Sequence, residues 1–225
     1  MFDVVIKDGE VYSGDKQPKI LNIGITKDRV KYIGKDNISG HKVINAKGYI
    51  VSPGFIDIHT HSDLSFNIDP DADSKLIQGV TFELMGNCGM SFCAPLSPNT
   101  KPQLQDRMDR QGIDIEIKWN DFNGWLDEIS NKIPSINVAA QIGHGSLRAY
   151  VMGMEARNPS PDEIFKMQEE IRRSIDQGVL GFSTGLWYAP GSYSHTEEIV
   201  QLAKIASEYN LLYSSHIRSE SDDAR

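Results

Sequence analysis

Cysteine is scarce in this chain, with two residues in 225, Cys88 and Cys93. That is too few for a disulfide framework. In a reducing compartment each is either a small buried hydrophobe or a reactive or metal-bound thiol. Long hydrophobic runs are missing as well: no stretch approaches the 18 or so apolar residues of a membrane-spanning helix. Positive charge is in deficit, since 23 Lys and Arg against 31 Asp and Glu leave a formal net charge of −8. Nucleic acids and anionic membranes select clustered Lys and Arg, so neither is an expected partner. The opening "MFDVVIKDGEVYSG" has acids where a secretory leader has its basic and apolar segments, and the cytoplasm is the expected compartment. Internal repeats and low-complexity tracts are also lacking.

What is present divides at Pro53. Residues 1–52 hold short β-branched runs separated by Asp-Gly, Lys-Asp and Lys-Gly turn signals, which read as antiparallel strands of a small β module. Residues 53–225 alternate short buried runs with helical patterns. The runs are Phe55–His59, Val80–Met85, Ile136–Ile142, Val179–Ser183 and Leu211–His216. Continuous apolar strands separated by helices indicate a parallel sheet of βα units. "SPDEIFKMQEEIRRSIDQG" predicts a helix with Ser160 at its N-cap, Pro161 at N1, Glu163 at N3 and Gly178 past its last turn. In "SHTEEIVQLAKIASEYN", Ser194 and Glu197 have capping-box spacing, and Ile199, Leu202, Ala203 and Ala206 make one apolar stripe. The polar stretch Ser97–Lys132 predicts a lid or flanking helices.

Polar, metal-capable groups gather where each strand ends. In "PGFIDIHTH", two imidazoles one residue apart, His59 and His61, follow an apolar run; residues i and i+2 of a strand point the same way. Cys88 follows the second strand in "MGNCG", and His216 ends the fifth in "SSHIR". Sites in parallel α/β sheets lie at the carboxyl ends of the strands. Three imidazoles and a thiol at one end of one sheet make zinc the economical ion, because imidazole and thiolate suit it at about 2.0–2.3 Å. His144 and Arg148, in "GHGSLR" after the third strand, either satisfy backbone groups in a loop or hold substrate. His41 and His195 read as solvent-facing, and Cys93 as buried filler.

These residues resemble the amidohydrolase superfamily, and within it the D-aminoacylase group, the N-acyl-D-amino-acid deacylases. The matching elements are "PGFIDIHTHSD", "GVTFELMGNCGMSFCAP", "GHGSLRAYVMG", "GVLGFSTGLWYAPGSYSHTEEI" and "YSSHIRSES". The first motif is shared by much of the superfamily, dihydroorotases and hydantoinases included; "GNCG" followed by "GFSTGL" is more specific to the deacylases. The resemblance implies a TIM-like (β/α)8 barrel of which about five strands are present, preceded by part of a composite β-sandwich. It implies Zn²⁺ in one tight and a second, weaker position. His59 and His61 would hold the weaker position, His216 the tighter, and Cys88 would touch both. Many relatives bridge two metals with a modified lysine of strand four; "GVLGFSTG" has none, and the Cys88 thiolate would replace it. Tyr188 in "GLWYAPG" falls where the group places a substrate-facing aromatic.

The implied activity is hydrolysis of small N-acyl-D-amino acids by metal-activated water, with a late aspartate carrying the proton to the leaving amine. That aspartate and a further zinc histidine are expected beyond Arg225, so residues 1–225 read as a fragment with little activity alone, whose partner is a missing C-terminal half. Asp63 is the one nearby carboxylate to stand in as base, although "HSD" better suits orienting the ligand shell. The alternatives are a cyclic-amide hydrolase of dihydroorotase or hydantoinase type, and a non-catalytic metal-binding fragment.

Overall fold

A computed structural model describes residues 1–12, 14 and 17–221, and the chain separates into two units, Met1–Gly54 and Phe55–Arg225. The first is one sheet of β1 (Phe2–Val11), β2 (Lys19–Thr26), β3 (Arg29–Gly34), β4 (Gly40–Asn45) and β5 (Ile50–Val51). Its order is β3-β2-β1-β4, with β5 also on β1. The β1–β2 and β2–β3 pairs are antiparallel, but β4 and β5 run parallel to β1, so the module is mixed rather than antiparallel. The Asp8-Gly9 signal explains the departure. It is a bulge inside β1, with Asp8 at φ +59° and a register shift between Ile6 and Gly9, rather than a turn. β1 therefore continues, pairing β4 along Phe2–Lys7 and β5 at Glu10–Val11. Lys27-Asp28 does turn, closing a hairpin in which Thr26 faces Arg29.

In the second unit β6 (Phe55–Asp57), β7 (Val80–Met85), β8 (Asn137–Gly143), β9 (Gly181–Gly185) and β10 (Leu212–His216) lie side by side in sequence order, every pair parallel. The sheet curls into part of a TIM-like barrel. Between β6 and β7 stand two single turns, α1 (Ser65–Ile68) and α2 (Asp73–Leu76). Between β7 and β8 lie α3 (Thr100–Arg110) and α4 (Phe122–Lys132), which make the polar stretch a pair of flanking helices. α5 (His144–Met152) and α6 (Pro161–Asp176) precede β9, and α7 (Thr196–Glu208) precedes β10.

The core forms where the helices meet the sheet. Trp125 and Ile129 of α4, Met167 and Ile171 of α6, and Leu202 of α7 pack with Ile142 and Phe182 of the strands, all at most 2 % exposed. Each such side chain contributes about 1.5–3 kcal/mol by leaving water. Buried polar groups also tie strand to strand. Gln141 of β8 donates to Asn87 Oδ1 at 2.8 Å and accepts from Ser214 of β10 at 3.1 Å. None of the described helices is long and apolar enough to cross a membrane.

Helix ends follow the sequence in one case and not in another. Ser160 accepts from Glu163 N at 3.3 Å while the Glu163 carboxylate accepts from Ser160 N at 2.7 Å, a complete capping box with Pro161 at N1. Ser194 and Glu197 make no such box. α7 starts one residue later, at N-cap His195, because the Ser194 hydroxyl donates instead to the Gly191 carbonyl at 2.7 Å. Arg157 and the Ser160 amide hold the Glu163 carboxyl down to about 2. Its contribution to stability is thus complete above its unfolded value and fades as pH falls from about 4.5 toward 2. Ser160→Ala is expected to lower unfolding free energy by about 1 kcal/mol. Glu163→Gln is expected to flatten the acid arm of the stability curve over that window, checked by urea titrations from pH 2 to 7.

Candidate metal centre

β6 and β10 are the two edges of the sheet. In a flat sheet, four strand spacings of about 4.8 Å would hold them about 19 Å apart. Their histidines nevertheless reach the same sulfur: Cys88 Sγ lies 3.3 Å from His59 Nε2 and 3.7 Å from His216 Nδ1. His61 joins from the β6 side, and the ligand atoms of His59, His61 and Cys88 all fall within 4.8 Å of one another.

The two histidines come together by a different route from strand alternation. β6 stops at Asp57, so His59 and His61 lie in the loop beyond it. The loop is tethered from both sides: the Asp57 carboxylate accepts from His59 N at 3.3 Å, and the Thr60 amide and hydroxyl both donate to Leu84 O of β7 at 3.2 Å. The imidazole rings meet edge to face, 5.6 Å between centres. Burial, and then the neighbouring His59, pull the His61 pKa down, which favours the neutral, ligating imidazole. Burial pushes the Cys88 thiol up. Cys88 also sits at φ +54°, a left-handed backbone that costs a non-glycine residue about 1–2 kcal/mol.

The donor set fits a zinc-type ion. Donors at about 2.0–2.3 Å in a tetrahedral shell are about 3.3–3.8 Å apart, the separations that Cys88 keeps from its two imidazoles. Imidazole nitrogen and thiolate sulfur also match such an ion in softness. Glu220, which the sequence reading overlooked, accepts from His216 Nε2 at 3.1 Å and leaves Nδ1 turned to Cys88. A carboxylate behind a ligating histidine fixes its tautomer in this way. The signal was there in "HIRSE", a histidine and a glutamate four apart. Tyr188 stands at the cluster, its ring edge-on to His216 at 4.9 Å.

His144 and Arg148 are built into the fold, and Arg148 Nη2 donates to the loop carbonyls of Arg157 at 2.9 Å and Glu155 at 3.4 Å. They lie on α5, not in a loop, and both are fully buried. Each binds Glu198 of α7: His144 Nε2 at 2.7 Å from Oε1, Arg148 Nη1 at 2.6 Å from Oε2. Burial pulls the His144 pKa down, so the imidazole donates neutral while Arg148 supplies the charge. Burial pushes the Glu198 carboxyl up, but bonds from His144 and Arg148 outweigh it and hold the group below its ordinary value. The triad locks α5 to α7. Asp63 is fully buried and takes its partners from the loop after Cys88. Its Oδ1 accepts from Phe92 N at 3.1 Å and Cys93 Sγ at 3.7 Å, pinning the loop after Cys88, and burial pushes its carboxyl up to about 6. Cys93 is buried and free, as expected of filler, while His41 and His195 face solvent.

A cavity of about 610 Å³ opens beside His61, walled by Met90, Phe92, Leu96, Leu104, Met154 and Pro190. A hollow of about 660 Å³ between Ser97–Asn99 and Phe165–Arg173 touches no residue of the cluster. Removing one partner of a buried ion pair strands the other in low dielectric. Glu198→Ala is therefore expected to cost about 3–5 kcal/mol of unfolding free energy, read from urea denaturation.

The amidohydrolase family matches residues 42–208. D-aminoacylase of Alcaligenes xylosoxydans xylosoxydans is 32% identical over 98% of this chain and 45% of its own length. N-acyl-D-glutamate deacylase of the same organism is 36% identical over 98% and 44%. The crystal structure of N-acyl-D-glutamate deacylase from Bordetella bronchiseptica, complexed with zinc and a phosphonate inhibitor, superposes with TM-score 0.87. It is 34% identical and covers 99% of this chain and 46% of that one. The chain thus spans about half the length of the relatives it matches. Hydantoinases align at 15–18% identity and share the fold. This chain belongs to the amidohydrolase family and groups within it with the D-aminoacylases.

Proposed function

We propose that this chain is the metal-holding portion of a zinc-dependent N-acyl-D-amino-acid deacylase. The observation that carries the reading is one sulfur, Cys88 Sγ, within bonding-shell distance of imidazoles from both edges of the sheet. In this reading His59, His61 and Cys88 would hold one metal ion, Cys88 and His216 would contribute to a second position, and the thiolate would supply negative charge to both. When bound, zinc polarises an amide carbonyl and lowers the pKa of water from about 15.7 to about 7.

The chain's own residues do the positioning. Tyr188, beside His216, offers a phenolic donor to the oxygen of the reacting carbonyl. The apolar cavity next to His61 receives an apolar arm of the substrate, and the His144–Glu198–Arg148 lock keeps the α5 wall of that cavity in place. No carboxylate oxygen of the described residues joins the 4.8 Å cluster, and Asp63 is committed to Phe92 and Cys93. We therefore assign proton delivery to the leaving amine to a carboxylate outside the described residues. The cyclic-amide alternative has nothing specific in its favour: strand β9, "GFSTG", carries no lysine to bridge two metals, and the hydantoinases are related at the level of fold.

Zinc retained after gel filtration is expected in the parent and lost in Cys88→Ala, by elemental analysis. When the chain is complemented with the C-terminal barrel half of a D-aminoacylase, N-acetyl-D-amino acids are expected to be hydrolysed and their L forms spared. Hydrolysis of hydantoins instead would overturn the reading.

A further inference from the structure

The socket around Cys88 is built from parts that carry none of its partner imidazoles. Ser183, fully buried in β9, accepts from Gly89 N at 3.1 Å and donates its own proton to the Gly86 carbonyl. Those two backbone groups flank Cys88 in the chain, so one hydroxyl closes the turn that keeps residue 88 at φ +54°. The start of α5 closes the other side. Ser146 N donates to Gly89 O at 3.1 Å, and the Ser146 hydroxyl accepts from Ser91 N at 2.9 Å. The Ser91 hydroxyl accepts in turn from Gly143 N at 3.1 Å.

The fit is backbone against backbone. A Cβ on Gly185 would overlap the Cys88 carbonyl, and one on Gly143 would stand 2.5 Å from the Gly89 carbonyl carbon. A non-glycine residue stays left-handed only while its surroundings over-determine it. Released from this socket, the peptide would relax to negative φ and swing the thiol away from His59 and His216. Nothing in the imidazole contacts themselves would prevent that.

From this we infer that Ser183 is the positioning residue for the Cys88 thiol, setting its direction before any metal arrives. The consequence for metal binding rests on the deacylase reading above; the positioning of the thiol does not. Ser174 supplies the matched control. It is also a fully buried serine donating to a carbonyl, that of Glu170 at 2.8 Å, but within α6 and away from the cluster.

Two readouts on the full chain test the inference. With cobalt(II), Ser183→Ala is expected to weaken binding about 10–100-fold and to diminish the thiolate-to-cobalt charge-transfer band, whereas Ser174→Ala keeps both. In metal-free protein, a thiol reagent is expected to modify Cys88 about tenfold faster in Ser183→Ala than in Ser174→Ala. Cys88→Ala in each background confirms which thiol reacts. Unchanged cobalt affinity and unchanged labelling in Ser183→Ala would overturn the inference. So would equal changes in both serine variants, which mark a merely structural role. A parent that gives no thiolate–cobalt band would sink the metal reading, and the labelling ratio then decides the positioning role alone. Should Ser183→Ala fail to fold by circular dichroism, Ser146→Ala takes its place with the same expectations.

Discussion

A five-stranded parallel sheet has two edges, and here both must end at one sulfur. His59 follows the first strand and His216 closes the last, so the curl of the sheet and the turn at Cys88 are a single constraint seen from two sides. If the sheet flattens, the imidazoles separate by the width of the intervening strands. If the turn relaxes, the thiol leaves the gap between them. The rest of this unit can be understood as what holds these two things still.

Much of that support is polar and buried, which is unusual for an interior and costly unless satisfied. Gln141 bridges Asn87 to Ser214 and so couples the segment before Cys88 to the far strand. The Lys75 ammonium spans Asp57 of β6 and Glu83 of β7, 2.7 and 3.2 Å away, under the loop that carries His59. The Asp63 carboxyl and the His144–Glu198–Arg148 triad do the same work for the loop after Cys88 and for α5. Directional bonds of this kind fix orientation in a way that apolar packing, tolerant of rotation, does not. The helices beneath, with Trp125, Met167 and Leu202 fully buried, supply the bulk of the burial and leave the strand ends free for chemistry.

How much of this was legible in the sequence follows from which interactions are local. The βα rhythm and the capping box at Ser160 could be read because each rests on short-range periodicity, and the structure brings His59, His61 and Cys88 within 4.8 Å and His216 to 3.7 Å from that sulfur. The Asp8-Gly9 bulge was misread because the same dipeptide serves turns and bulges, and only pairing with β2 separates them. The Ser194 cap failed because Gly191 competed for its hydroxyl. His144 and Arg148 were unreadable without Glu198, fifty residues away on another helix. Strand alternation does not bring His59 and His61 together: the strand ends before them, and tethers to Asp57 and Leu84 take its place.

The central claim is that the chain gathers a mixed imidazole and thiolate shell around Cys88. X-ray absorption at the zinc K-edge on the zinc-loaded 225-residue chain tests it most directly. The account predicts a sulfur scatterer at about 2.3 Å together with imidazole nitrogen at about 2.0–2.1 Å. A shell of oxygen and nitrogen alone, with no sulfur, would contradict it.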